Sequence, residues 1–177
     1  LAESYTAVFP ASAYVEGSAA GSPKVAVAAE QTVYPDYVKD LTMVAKAGKD
    51  AEFVFQNLFS VVRIEFPADK LTSSNEGDIV KVDFTSESAA VAGIASVSDG
   101  TLAFENGAVN TISFDCSQKD INVEAPLFVA IPAQTYIGGF VFDFTFADNS
   151  PFTLSCKEDV TARANEVSLQ RLLAPWA

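Results

Sequence analysis

The seven residues Phe140–Phe146 (FVFDFTF) limit what this chain can fold into more than any other stretch. Phenylalanines occupy 140, 142, 144 and 146, with Val141, Asp143 and Thr145 between them. Side chains alternate across a strand, so a β conformation gathers all four rings on one face and puts Asp143 and Thr145 on the other. A helix would scatter the rings around its axis, with Asp143 among them. The stretch is therefore a strand of a half-buried antiparallel sheet, and its aromatic face needs a second layer to cover it.

That alternation recurs along the chain. A first strand is expected at 4–9, then a small-residue loop over 10–23 and a short strand at 24–28. Pro35 sets a turn over 34–37, an apolar segment follows at 41–45, and 46–50 is a polar break. Residues 51–66 form a dense block in which Phe53 and Phe55 alternate. Within it Val62, Ile64 and Phe66 share one face, opposite Val61, Arg63 and Glu65. Pro67 ends the block, and 69–77 is a polar connection. In the strand at 79–84, Val80, Val82 and Phe84 are expected to point inward. Asp99-Gly100 and Asn106-Gly107 have the composition of type I′ turns, so 91–98, 101–105 and 109–114 are expected to form a three-strand meander. Further strands are expected at 125–132, 152–156 and 166–173, with a turn at 148–151. Strands recurring every ~8–14 residues without a fixed sequence repeat indicate an all-β chain built as an antiparallel β-sandwich. A complete sandwich is expected over 50–177, with 1–49 as the remaining strands of a first β domain or a long N-terminal extension.

Composition narrows the function. Half of the chain is hydrophobic (49%), enough for a substantial core, but the net charge is −12. Such a surface repels nucleic-acid phosphates and anionic lipids, so neither is an expected partner. There is no histidine, which removes the usual general base, the commonest metal ligand and every Ser-His-Asp or Cys-His arrangement. A carboxylate-only enzyme would need two acids facing each other ~5–9.5 Å apart, and no spacing suggests such a pair. The two cysteines, Cys116 and Cys156, both lie in strand-like runs and are either a disulfide or two thiols packed as small hydrophobes. No apolar run approaches the ~20 residues that a membrane-spanning helix needs. Leu1 is not an initiator Met and the chain opens inside a strand, so a segment upstream is expected.

Several residues invite a chemical reading, and each has a plainer one. Glu30-Gln31 and Gln134 follow short apolar strands, where polar residues normally enter loops. Glu76/Asp78 and Glu158/Asp159 offer oxygen ligands for calcium but lack the dense spacing of a calcium loop. Gly138-Gly139 would suit a phosphate cradle only with a helix behind it; a sharp turn is the better account. Tyr5, Tyr14, Tyr34, Tyr37 and Trp176 would make a sugar-stacking platform if they converged on the surface. No catalytic, cofactor-binding or metal-ligating residue is assigned.

Blocks along nearly the whole chain are similar, in order, to those of one family. Residues 5–12 (YTAVFPAS) resemble its YAIYPAS strand and turn, 25–32 (VAVAAEQT) its V-x-L-P-A-E-Q-T, and 41–45 (LTMVA) its PMVA. Residues 55–64 (FQNLFSVVRI) resemble FKNLCGLLKI, 91–93 (VAG) a short LAG, and 128–132 (FVAIP) the YVVVPP strand that precedes GF-x-V-x-F. The family is the fimbrillin-type surface proteins of Bacteroidetes. Ala28, Leu58-Phe59 and Asn149-Ser150 depart from its usual Pro, Leu-Cys and Asp-Gly. The resemblance implies a non-enzymatic fimbrial or cell-adhesion component, exported to the cell surface or outer membrane as a lipoprotein anchored upstream. It also implies transthyretin-like β-sandwich domains, no cofactor, and partners that are other fimbrial subunits or ligands on host or bacterial surfaces. Subunits of that kind assemble by donating a strand to a neighbour's sheet. Residues 166–173, with Val167 and Leu169 alternating, are either such a donor or a strand closing its own sheet. A surface module that binds glycan or another ligand through exposed aromatics is the alternative.

Overall fold

The computed structural model describes residues 4–18, 22–35, 37–39, 41–68, 71, 77–117 and 120–169 of the 177, with 167–169 as backbone. Its strands, in chain order, are Ser4–Phe9 (β1), Lys24–Val27 (β2), Glu30–Thr32 (β3), Met43–Gly48 (β4), Gln56–Asn57 (β5), Phe59–Ile64 (β6), Ile79–Ser86 (β7) and Gly93–Ser98 (β8). Thr101–Phe104 (β9), Thr111–Asp115 (β10), Leu127–Pro132 (β11), Thr135–Tyr136 (β12), Phe140–Phe146 (β13), Pro151–Cys156 (β14), Val160–Thr161 (β15) and Val167–Leu169 (β16) follow. The fold is all-β and sandwich-like. Helical structure among the described residues is limited to a 3-10 turn at Ala11–Ala13.

The main sheet has the order β14-β13-β7-β10-β3, antiparallel except for the β10–β3 pair. Its inner face is aromatic. Phe140, Phe142, Phe144 and Phe146 on β13 are at most 1% exposed and stand beside Phe84 on β7. Burying a phenylalanine is worth roughly 1.5–3 kcal/mol, so this one strand is a major part of the hydrophobic driving force. The covering layer comes from β6 and β11 of the sheet β11-β6-β16, with Val62, Ile64, Val129 and Ile131 in the same buried cluster. Phe66, just past β6, meets Phe144 edge-on with centroids 5.1 Å apart. The outer face of the main sheet is polar, and one row across it reads Thr153, Asp143, Asp83, Ser113, Glu30. Two aspartates directly opposite each other repel. The Thr153 hydroxyl donates to Asp143 (2.6 Å), the Ser113 hydroxyl donates to Asp83, and Lys81 pairs with Asp83 at 2.8 Å, which together offset that repulsion.

Three smaller sheets flank this sandwich: β2-β8-β9, β1-β4-β5 and the ribbon β12-β15. Strands from 1–49 enter sheets made by later residues, β2 pairing with β8 and β3 with β10. Val25, Val27, Val33 and Val44 lie in the same buried cluster as the phenylalanine strand. The last strand, β16, runs parallel to β6 in this chain's own sheet, pairing Val167 with Val61 and Leu169 with Arg63. Residues 170–173 of the expected strand lie outside the described residues.

Four local expectations need correction. The first turn of the expected meander forms, with Asp99 at φ 48° and Gly100 at φ 77° joining β8 to β9. The second does not make a hairpin. Of Asn106 and Gly107 only the glycine has a positive φ, β9 remains an edge, and β10 leaves to pair with β7 and β3. In β7 the ladder to β13 shifts at Thr145/Phe146, so Phe146 pairs with Ile79; Ile79 is buried and Val80 is only half-buried. A bulge moves one residue off its expected face. The supposed polar break at 46–50 is partly strand, because Ala47 is buried and Lys46 pairs with Thr6 across to β1. Phe53 and Phe55 are not strand residues at all. They lie on a loop, 45% and 44% exposed, with Val54 between them at 74%.

Candidate functional site

β3 is an edge of the main sheet, and its pairing decides what that edge presents. In the parallel ladder the Ser113 N–H donates to the Ala29 carbonyl (2.7 Å) and the Val33 N–H donates to the Asp115 carbonyl (3.0 Å). Successive residues of a strand direct their N–H and C=O groups to opposite sides, so those of Glu30 and Thr32 point away from β10. Glu30 and Thr32 also line a cleft of about 650 Å³. The chain after β1 forms one wall (Pro10, Ser12, Ala13), and Phe59 of β6 and Ala130 of β11 contribute to the apolar part. Its charged groups are Glu30, Asp115 and Lys39. The Asp115 carboxylate is fixed by one oxygen, which accepts from the Ser117 hydroxyl (2.6 Å) and the Ser117 N–H (2.9 Å). Those two bonds hold its pKa below the usual value, so it is anionic throughout the physiological range.

Beside the cleft, Tyr34 and Tyr37 stack with centroids 4.8 Å apart and planes at 17°. The Lys39 ammonium sits 5.7 Å from the Tyr34 centroid, a cation–π distance, and Tyr37 is 56% exposed. Gln31, Thr32 and Lys39 line both the cleft and a shallow groove at the two tyrosines, so cleft and aromatic ledge are continuous. Of the five residues expected to form an aromatic platform, the structure brings these two together. Tyr5 on β1 and Tyr14, bridged to Val25, are separately exposed, and Trp176 lies outside the described residues.

A second opening, about 400 Å³, lies between β4 and the β8–β9 turn, where Val97, Asp99 and Gly100 face Val44, Ala45 and Val54. The two residues of β5 pair with only Met43 and Val44 of the six-residue β4. The opening therefore sits where β4 continues past its short partner, beside the exposed Phe53-Val54-Phe55 loop.

The remaining candidates have local structural roles. The Gln31 amide donates to the Ala28 carbonyl and the Gln134 amide to the Ala90 carbonyl; the pair is not assembled into one site. Asp159 accepts a hydrogen bond from the Gly138 N–H (2.8 Å), so the Glu158/Asp159 pair and the Gly138-Gly139 motif meet in a single capped turn. Both glycines have positive φ, and a Cβ on Gly139 would run into the Cys156 carbonyl. Glu76 lies outside the described residues, and Asp78 is exposed. Among the described residues no three Cys, Asp or Glu side chains are grouped to hold a metal ion. Cys116 and Cys156 are free thiols, the first fully buried. Sequence reasoning missed Asp115 and Lys39 altogether, because what distinguishes them is nearness to a cleft whose walls come from six parts of the chain.

No protein-family model matches the chain, and no curated protein matches it. In fold it is similar to the crystal structure of a putative cell adhesion protein from Bacteroides ovatus, with a TM-score of 0.51 at 17% identity. The likeness covers 90% of this chain and 58% of that one, so the chain spans little more than half the length of the protein it resembles. No helix among the described residues is long and apolar enough to cross a membrane.

Proposed function

We propose that this chain is a non-enzymatic, fimbrillin-like component of a bacterial cell surface that takes part in adhesion. The observation that carries the reading is the fold it shares, over 90% of its length, with the Bacteroides ovatus protein. The resemblance of its sequence blocks to fimbrillin-type proteins supports the same conclusion. On this reading the chain is exported and stands at the cell surface or in a fimbrium, and its partners are neighbouring subunits or surface ligands.

Two features of the sheet edges support assembly by strand addition. An added strand gains main-chain hydrogen bonds from an incompletely paired partner and places alternate side chains in apolar recesses. The opening beside β4 offers both: a strand outlasting its short neighbour, and Val54 flanked by Phe53 and Phe55 at the mouth. A soluble monomer ordinarily covers or charges such a patch.

The test uses the full-length protein in its own cells. Surface proteolysis and fractionation should find the protein outside, and deletion of its gene should reduce attachment to surfaces or cells. Retention of the protein in the cytoplasm, or attachment unaffected by deletion, would defeat the proposal.

A further inference from the structure

We infer that the cleft at the free edge of β3 binds a neutral glycan, with the Tyr34–Tyr37 ledge extending the site. The inference rests on the adhesion reading for its setting and deepens it by naming a ligand class. A sugar offers hydroxyls around its rim, each both donor and acceptor, and apolar C–H faces. A matching site needs fixed acceptors, donors and apolar or aromatic surface in one place. This cleft has them. One oxygen of Asp115 is tied to Ser117, which holds the carboxylate in a set orientation at the wall of the cleft. Glu30 adds a second carboxylate, and the outward N–H and C=O groups of Glu30 and Thr32 add backbone donors and acceptors at fixed spacing. Lys39 joins this polar edge to the stacked tyrosines; Tyr34 is covered by Tyr37 and Lys39, and the exposed face of Tyr37 that does not meet Tyr34 attracts the positive C–H face of a pyranose.

Charge and size decide between ligand classes. Two carboxylates against one ammonium, on a chain of net charge −12, disfavour sialylated, sulfated or phosphorylated ligands. An extended peptide would pair with an edge, but β3 is three residues long and its outward-facing members are Glu30 and Thr32. That is too short a ladder for strand addition. A volume of about 650 Å³ lies within the range of small-ligand clefts and accommodates an oligosaccharide.

The chain, folded and untagged, is applied to an array of neutral oligosaccharides with sialylated and sulfated counterparts, and the best neutral binder is titrated calorimetrically. Saturable binding of a neutral glycan is expected. Asp115→Ala and Tyr37→Ala, both at exposed positions, should each weaken it about tenfold, the size of one charge-assisted or stacking contact. Asp143→Asn, on β13 and three strands across the main sheet from β3, should leave it unchanged. Each variant is accepted only if its thermal melt matches that of the parent protein. Absence of saturable neutral-glycan binding, binding confined to acidic glycans, or binding unaffected by both cleft variants overturns the inference. Loss of attachment on gene deletion with no glycan binding would sink this inference and leave the adhesion reading standing. Glycan binding without any attachment phenotype would do the reverse.

Discussion

Tyr136→Phe removes one oxygen from the interior and tests how the core satisfies its polar groups. Tyr136 is completely buried, its ring edge-on to Phe84 (5.6 Å) and Phe140 (5.7 Å), and its hydroxyl donates to the Pro132 carbonyl at 2.7 Å. Phenylalanine keeps the ring and both edge contacts, so the change isolates the hydroxyl's polar contacts, the bond to Pro132 and the one with the Gln134 side chain. Its loss strands the Pro132 carbonyl in a dry interior, which costs about 1–3 kcal/mol. For a chain of this size that lowers the melting temperature by ~2–4 °C per kcal/mol. Tyr136→Ala removes the ring as well and should cost about 3–5 kcal/mol. Urea titration followed by intrinsic fluorescence gives both values, with the urea slope unchanged for Tyr136→Phe. A Tyr136→Phe variant within about 0.5 kcal/mol of the parent would show that the bond contributes nothing net, and the reasoning would fail. A second reading comes from pH. Burial raises the Tyr136 pKa, so the phenol is neutral in the folded protein while in the unfolded chain it ionises near its ordinary value. That stability is fully present below pH ~10 and is lost as pH rises above it, a loss that Tyr136→Phe should diminish.

Three other changes have defined outcomes. Gly138→Ala and Gly139→Ala share the strain of a positive φ, about 1–2 kcal/mol, but only at 139 does the added Cβ run into the Cys156 carbonyl. Gly139→Ala should cost more than about 4 kcal/mol in the same urea assay, and equal costs for the two would contradict the turn geometry. Burial, followed by the charge of Asp115, pushes the Cys116 thiol up to about 12, so iodoacetamide at pH 8 should spare Cys116 until urea unfolds the chain. The raised value makes its stability contribution complete below the ordinary thiol pKa of 9.0 and lost as pH climbs toward 12. Val54→Lys places a charge at the mouth of the β4 opening and should reduce subunit polymerisation seen by light scattering while leaving the melt unchanged. Undiminished polymers would remove that opening from the assembly surface.

Alternation alone determined a good deal of this protein. A period of two is enforced by strand geometry itself, so the inward rings of Phe140–Phe146, the buried Val62 and Ile64, and the Asp99-Gly100 turn were legible from local spacing. Absence of histidine and the charge of −12 likewise constrain chemistry wherever the residues sit. Pairing was not legible, because a strand's hydrogen-bonding edges look alike in sequence and partners are chosen by global packing. Hence β10 left the expected meander for β7 and β3, and β16 settled beside β6. Phe53 and Phe55 read as strand residues by their alternation, yet the chain exposes them on a loop; burial belongs to the surroundings of a side chain and not to its type. The cleft is the clearest case. Ser12, Glu30, Lys39, Phe59, Asp115 and Ala130 share no motif, and only the fold, by leaving β3 at an edge and laying the N-terminal segment beside it, places them around one cavity.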